Sequence, residues 1–303
     1  MTTTALKFQV GARTLASIQR RLARVSVDLT DAMAGRLPVL PELARDSDGY
    51  LVTSLAEPRR ADLAAAVPGM IAHVRQRYTR YHTDLRIGFD DYLARMSGNA
   101  RSGLKRKAKK IAEVSGGTLR VERFADPDEI EHFYDIARRI SERTYQERLL
   151  GGGLPDDSGF VANMLAAAAN DRVRGWLLTI AGEPAAYLYG EARGRILGYD
   201  HVGHDPAFND LSPGAVLMLE AMRDLMNEGR FERFDFTEGE GQHKRQFATG
   251  GVPCCDMLLL RPSLANRLAA AALGGFERLA TTAKQASDHP ALKGLAKRVR
   301  RAG

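Results

Sequence analysis

The chain has 303 residues, 44% of them hydrophobic and 27% charged. This balance supports a packed core and excludes wholesale disorder, collagen-like repeats and a small disulfide scaffold. The net charge of +7 is uneven: residues 262–303 hold eight Lys or Arg against Glu277 and Asp288, so +6 of it sits in this tail.

The two cysteines, Cys254 and Cys255, are adjacent. They are poorly placed to bridge each other and give no metal-ligand spacing, so a reducing compartment and no metal are expected. No stretch approaches the roughly 18 uninterrupted apolar residues of a membrane span, and MTTTALKFQV lacks the pattern of a secretory leader. The expected location is the cytoplasm, with contact at the inner face of the membrane through the basic tail.

Taken in order, Lys7–Val10, Ala23–Val27 and Tyr50–Leu55 read as short strands around the Pro-containing stretch LPVLPELARDSDG. Residues 1–87 are therefore expected to form a small β-rich lobe. Residues 88–116 read as a basic helical connector. There Leu104, Ala108 and Ile111 share one face, and Arg101, Lys105, Arg106, Lys107, Lys109 and Lys110 cover the rest.

From Gly117 a strand at 118–124 leads into a helix signalled by Asp126, Pro127 and Glu129 ahead of Ile130, Phe133, Ala137 and Ile140. A loop, a helix at about 158–170 and three strands at 173–180, 185–191 and 195–202 follow. Ser212-Pro213-Gly214 opens a strong helix that Gly229 closes. A strand at 231–236, a short helix near 241–248 and a strand at 252–260 complete a unit spanning 117–261. Residues 262–303 read as a basic amphipathic tail, with Leu264, Leu268, Phe276 and Leu279 near helical spacing and a further such run, ALKGLAKRVRR, beyond Pro290.

The stretches GFDDYLARMSGNARSGLKRKAKKI, RTYQERLLGGGL, GYDHVGHDPAFNDLSPGAVLML and FDFTEGEGQHKRQF, in that order and spacing, resemble the CelD-like GNAT proteins, relatives of the FemABX aminoacyl transferases. The resemblance covers about residues 85–260. It implies an α/β (α+β) GNAT acyl-CoA N-acyltransferase fold, a mixed central sheet with helices on both faces, in a degenerate N-terminal lobe and a complete C-terminal one.

A helix start exposes unpaired N–H groups and suits an anionic ligand, and Gly214 admits close approach. The same Ser-Pro-Gly also reads simply as a capped helix start. In the GNAT donor loop the aligned residues are Asn209 to Gly214; only the last glycine is retained, the Ser-Pro-Gly form being common among CelD-like proteins. The expected donor-binding set is Val202, Ser212, Gly214 and Ala215.

Acyl transfer to an amine needs a base, donors for the developing oxyanion and alignment. The candidate catalytic residues are Asp235, Glu238, His243, Lys244 and His201. Asp235 reads equally as a salt-bridged structural carboxylate beside Arg233, Glu238 as a solvated loop acid, and His243 as a surface residue. By resemblance, Lys244 and Phe247 match the family's Tyr-Lys and aromatic positions, with His243 where the tyrosine stands. Alternation places Tyr199 and His201 on one strand face and Asp200 on the other. Tyr145, Tyr187, Tyr189, Tyr199 and Phe247 are the expected substrate-binding residues, the two central tyrosines reading also as ordinary half-buried strand aromatics.

The expected activity is an N-acyltransferase that moves an acyl group from acyl-CoA or an acyl carrier protein thioester to an amine of an envelope polysaccharide or lipid precursor, by direct attack and without a metal. The expected partners are the amine-bearing sugar or lipid, an acyl carrier protein and, through 262–303, a membrane surface. A FemABX-like reaction with aminoacyl-tRNA ranks behind it, as does a non-catalytic membrane or polymer-synthesis adaptor.

Overall fold

The computed structural model describes residues 2–10, 13–144 and 153–288. The chain divides into two compact units, one of residues 1–78 with 252–303 and one of residues 79–251. This differs from the expected boundaries in two ways. The basic stretch 98–114 is not a connector but a helix inside the second unit, and the last strand and the tail group with the N-terminal segment.

In the first unit β1 (Thr2–Val10) pairs antiparallel with β2 (Arg13–Ser26), and β2 pairs parallel with β3 (Gly49–Ala56). β3 pairs antiparallel with residues 254–260. Gly49 begins β3 at φ +153°, where a Cβ would lie 2.0 Å from the Leu259 carbonyl oxygen, so only glycine fits this close strand approach. Two short helices, α1 (Leu29–Ala34) and α2 (Arg60–Ala65), bury Leu29, Ala32 and Leu63.

Strand β4 (Ile71–Asp84), absent from the sequence reading, carries His73, Arg75, Arg77 and Arg80 and so hides its period-two pattern. The C-terminal segment is helical over Leu264–Asp288, but its buried face is not the one expected. Ala269 and Leu273 are buried and Phe276 meets Phe8 edge-on at 5.4 Å, whereas Leu264 and Leu268 are exposed. The run ALKGLAKRVRR lies outside the described residues.

In the second unit the expected helical region is two helices, α3 (Phe89–Arg95) and α4 (Gly98–Val114), because Met96 is extended and Ser97 caps α4 through its bond from Ala100 N–H. Leu104 and Ile111 of α4 are fully packed. The sheet then builds from β5 (Arg120–Phe124), β6 (Val173–Ile180) and β7 (Glu183–Arg193), all antiparallel.

Helices α5 (Pro127–Arg143) and α6 (Ser158–Ala168) cover one face, over a cluster of Phe133, Ile140, Met164, Tyr187 and Tyr189. The other face packs on α7 (Pro213–Glu228), through Val216, Leu217, Met222 and Leu225 with Trp176, Leu178 and Leu188. Glu129 accepts the Ala125 and Asp126 N–H groups at 2.9 and 3.4 Å and closes the start of α5. Glu129→Ala is expected to cost about 1 kcal/mol, seen as a lower urea midpoint without a change in slope.

The expected third meander strand is two strands. β8 (Ile196–Gly198) and β9 (His201–His204) are separated at Tyr199-Asp200. β8 lies between β7 and β10 (Arg233–Asp235), pairing parallel with β10 up to Gly198 opposite Asp235. β9 pairs with β7 alone among the described residues. Past Gly198 the sheet therefore opens between β9 and the chain that follows β10, and α8 (Gln242–Phe247) stands beside that opening.

Candidate functional site

The opening holds a cavity of about 290 Å³. Its wall combines Tyr199, Val202 and His204 of the broken strand, Gly214, Ala215, Leu217 and Met218 of α7, Tyr187 and Leu188 of β7, and His243, Gln246 and Phe247 of α8. Each element contributes for a local reason. Asp205 N–H bonds to Ala185 carbonyl at 2.8 Å, so along β9 the N–H groups of Val202 and His204 point away from β7, into the gap. Gly203 allows this packing, since a Cβ there would come within 2.5 Å of the Tyr187 ring.

Helix α7 starts at the cavity. Ser212 adopts φ 54°, ψ 53° and gives no side-chain cap, Pro213 has no N–H, and a Cβ on Gly214 would meet nothing within 4 Å. The capped-start reading of Ser212 does not hold. The first turn instead presents the uncovered Gly214 to the cavity, the Ala215 N–H being given to the Ser212 carbonyl at 3.1 Å, at the end of a helix whose dipole favours negative charge.

His243 lies on the opposite wall, its ring 5.9 Å from that of Tyr199. Burial, and secondarily the Lys244 ammonium beside it, hold its imidazole below the usual histidine value, so it is neutral at pH 7. Tyr199 packs on Phe234 and Phe236 at 6.0 and 5.7 Å, and burial pushes its phenol up out of the usual range. The site therefore offers a neutral imidazole, a strand-edge N–H, a helix start and apolar walls, with Phe247 buried behind them.

Other expected residues are placed elsewhere. Asp235 does not sit beside Arg233 as its partner. It lies buried in an ion pair with Arg80, Nε to Oδ1 at 3.1 Å and Nη2 to Oδ2 at 2.5 Å, and it also accepts Thr237 N–H. Arg233 reaches Asp84 instead, at 3.7 Å. An alternating strand puts Asp235 opposite Phe234 and Phe236, and the adjacent β4 supplies the Arg.

His201 is not on Tyr199's side. The break at 199–200 resets the alternation, and His201 packs between Phe160 and Tyr189, at 5.3 and 6.1 Å. Burial holds its pKa down, while a hydrogen bond to the Gly153 backbone opposes that shift. Tyr189 belongs to the same cluster, away from the cavity, whereas Tyr187 reaches it.

The Lys244 ammonium is buried and donates to the Glu238 carbonyl at 2.5 Å, and burial lowers its pKa against the pull of Asp235 and Glu238. It ties the 237–241 loop to α8. Glu238 itself does not line the cavity, and Tyr145 lies outside the described residues. Gln246, Leu217 and Met218 were missed by sequence reasoning; Gln246 follows His243 by three residues and shares its helix face, a signal that was available.

No helix among the described residues is long and apolar enough to cross a membrane. No curated protein matches the chain at a significant level. Among solved structures, FemX shows 12% identity over 89% of this chain and 90% of its own, with a TM-score of 0.53. The C-terminal domain of a protein described as a lysylphosphatidylglycerol synthetase, from Agrobacterium fabrum, shows 12% identity over 75% and 72%, with a TM-score of 0.50. At these identities the likeness is one of fold. The family model for the Acetyltransferase (GNAT) domain matches residues 98–245, the segment that builds the broken strand, α7 and most of α8; over this segment the chain is similar to that family, and its fold is of the GNAT kind.

Proposed function

We propose that this protein is an N-acyltransferase that moves an acyl group from a thioester, of coenzyme A or an acyl carrier protein, to an amine on an envelope polysaccharide or lipid precursor. The observation that carries this reading is the cavity at the break between β8 and β9, faced by the start of α7 and by His243. Leu188, Val202, Leu217 and Met218 exclude water from the acyl end. The open first turn of α7 suits the negative charge of the donor's carrier group.

Val202 N–H is aimed at the gap and supports the negative charge that develops on the acyl oxygen. Neutral His243 takes the proton as the amine nitrogen bonds to the acyl carbon and the carbon–sulfur bond breaks, and the leaving sulfur receives the proton in turn. Direct attack needs no nucleophilic side chain, and both cysteines are buried in the other unit, Cys255 with its thiol pushed up to about 12 by burial and by Glu57.

The likeness to CelD-like proteins favours a sugar amine, and the basic tail suits an acceptor at the inner membrane face. The test is thiol release from a panel of acyl-CoA thioesters in the presence of amine acceptors. Gly214→Val is expected to fold normally, because its side chain enters open space, and to raise the Kd for the donor at least tenfold. Undiminished donor binding in this variant would overturn the placement of the donor at α7.

One observation favours a second reading, an aminoacyl-tRNA donor. Arg101, Lys105, Arg106 and Lys110 are exposed on α4 without an ion pair among the described residues, and only Lys109 meets an acid, Glu113 at 3.7 Å. Loss of transfer activity on ribonuclease treatment would select this donor over a free thioester.

A further inference from the structure

A second cavity, of about 500 Å³, lies on the other side of α8 within the same unit. It is bounded by Tyr92, Arg95, Met96, Ser97 and Ala100 from the α3–α4 junction and by Gln242, Arg245, Gln246, Ala248 and Thr249 from α8 and the segment after it. Among the described residues no carboxylate lines it, and its polar groups are mostly donors. Arg95 makes no ion pair or side-chain hydrogen bond among the described residues. Arg245 gives Nε to the Tyr81 hydroxyl and Nη2 to Glu240, both at 3.2 Å, which leaves Nη1 for a ligand.

Ser97 Oγ accepts Ala100 N–H at 3.2 Å and Thr249 Oγ1 accepts Asp84 N–H at 2.8 Å, so each hydroxyl keeps its own proton to donate. Two guanidiniums and two free hydroxyl protons around one space match the oxygens of a phosphate better than any neutral group. The cavity is far larger than a phosphate ion and falls within the range of small-molecule sites. Tyr92, whose hydroxyl is spent on the Phe247 carbonyl at 2.9 Å, supplies an apolar wall with Met96 and Ala100.

Gln246 lines both cavities, one on each side of α8. Gln246 stands one turn of α8 after His243, so the two cavities share a wall residue next to the imidazole that faces the first. Resting on the transfer reading above, in which the donor occupies the α7 side, we propose that the second cavity holds the amine acceptor and that this acceptor carries a phosphate group, bound by Arg95, Arg245, Ser97 and Thr249. Its amine then reaches past Gln246 towards the acyl carbon.

Calorimetric titration of the full chain with glucosamine 6-phosphate and O-phosphoethanolamine, against glucosamine and ethanolamine, tests this. The phosphorylated amines are expected to bind at least tenfold more tightly than their phosphate-free counterparts. Which of the two binds better separates a sugar from a lipid headgroup. Arg95→Ala, at an exposed position without an ion-pair partner among the described residues, is expected to fold as the wild type, to weaken the phosphorylated amines at least tenfold and to leave coenzyme A binding unchanged.

Equal affinity with and without the phosphate overturns the proposal, as does phosphate-dependent binding that Arg95→Ala leaves intact. A loss of coenzyme A binding in Arg95→Ala also overturns it, by assigning the cavity to the donor. So does Arg95-dependent binding of tRNA with none of the small phosphorylated amines. Failure of coenzyme A to bind the wild type, with Arg95-dependent binding of the phosphorylated amines intact, would count against the donor reading alone.

Discussion

His243→Gln is expected to lower the rate of acyl transfer by roughly 10²- to 10⁴-fold, the usual contribution of a positioned general base, while leaving the donor's Kd unchanged. The wild-type pH profile carries the sharper signature. A base works in its neutral form, so activity should fall as the pH drops through the folded-state value of His243. That value lies below 6.5, because burial and the neighbouring Lys244 both disfavour the imidazolium.

The acid limb of kcat is thus expected below the ordinary histidine range and should vanish in His243→Gln, whose residual rate becomes flat there. Stopped-time assays from pH 4.5 to 8, with folding verified at each pH, read both features. A variant that keeps the acid limb would move the base away from His243.

The second large effect is one of stability. Removing one partner of the Arg80–Asp235 pair leaves an unpaired charge among buried groups, and Arg80→Met is expected to cost about 3–5 kcal/mol. For a protein of this size that lowers Tm by on the order of 10 °C. Asp235→Asn should destabilise in the same direction, since the amide cannot accept both guanidinium bonds as a carboxylate does.

Replacing both residues, as Arg80→Met with Asp235→Leu, is expected to recover most of the loss, because a buried pair is often matched by well-packed apolar groups. Differential scanning calorimetry of the four proteins measures this cycle. If Asp235→Asn instead keeps its Tm and loses its rate, the carboxylate acts in the chemistry and its pairing with Arg80 is incidental.

Much of the second unit was legible in the sequence because its punctuation is strong. Asp126-Pro127 with Glu129 marks α5, Ser212-Pro213-Gly214 and Gly229 bracket α7, and the four spaced stretches imply the GNAT arrangement that the fold displays. What failed had physical reasons. Strand β4 escaped because its arginines and histidines break the alternation of apolar residues.

The division of 195–202 into β8 and β9 leaves no composition signal. Its extended residues read as one strand, and the break at Tyr199-Asp200 places Tyr199 at the cavity while turning His201 into the opposite core. Local periodicity could not foresee the partner of Asp235 either, since Arg80 lies 155 positions away in the chain. The basic run on α4 was legible as a helix, yet its packing through Leu104 and Ile111 makes it part of the domain core where a linker was expected.

The most direct test of the account is native mass spectrometry of the full chain with acetyl to palmitoyl thioesters of coenzyme A and of acyl carrier protein. The expected result is one thioester bound per chain, from one of these two donor classes, and lost in Gly214→Val. Absence of binding by every thioester would contradict the placement of an acyl donor in the cavity between the broken strand and α7.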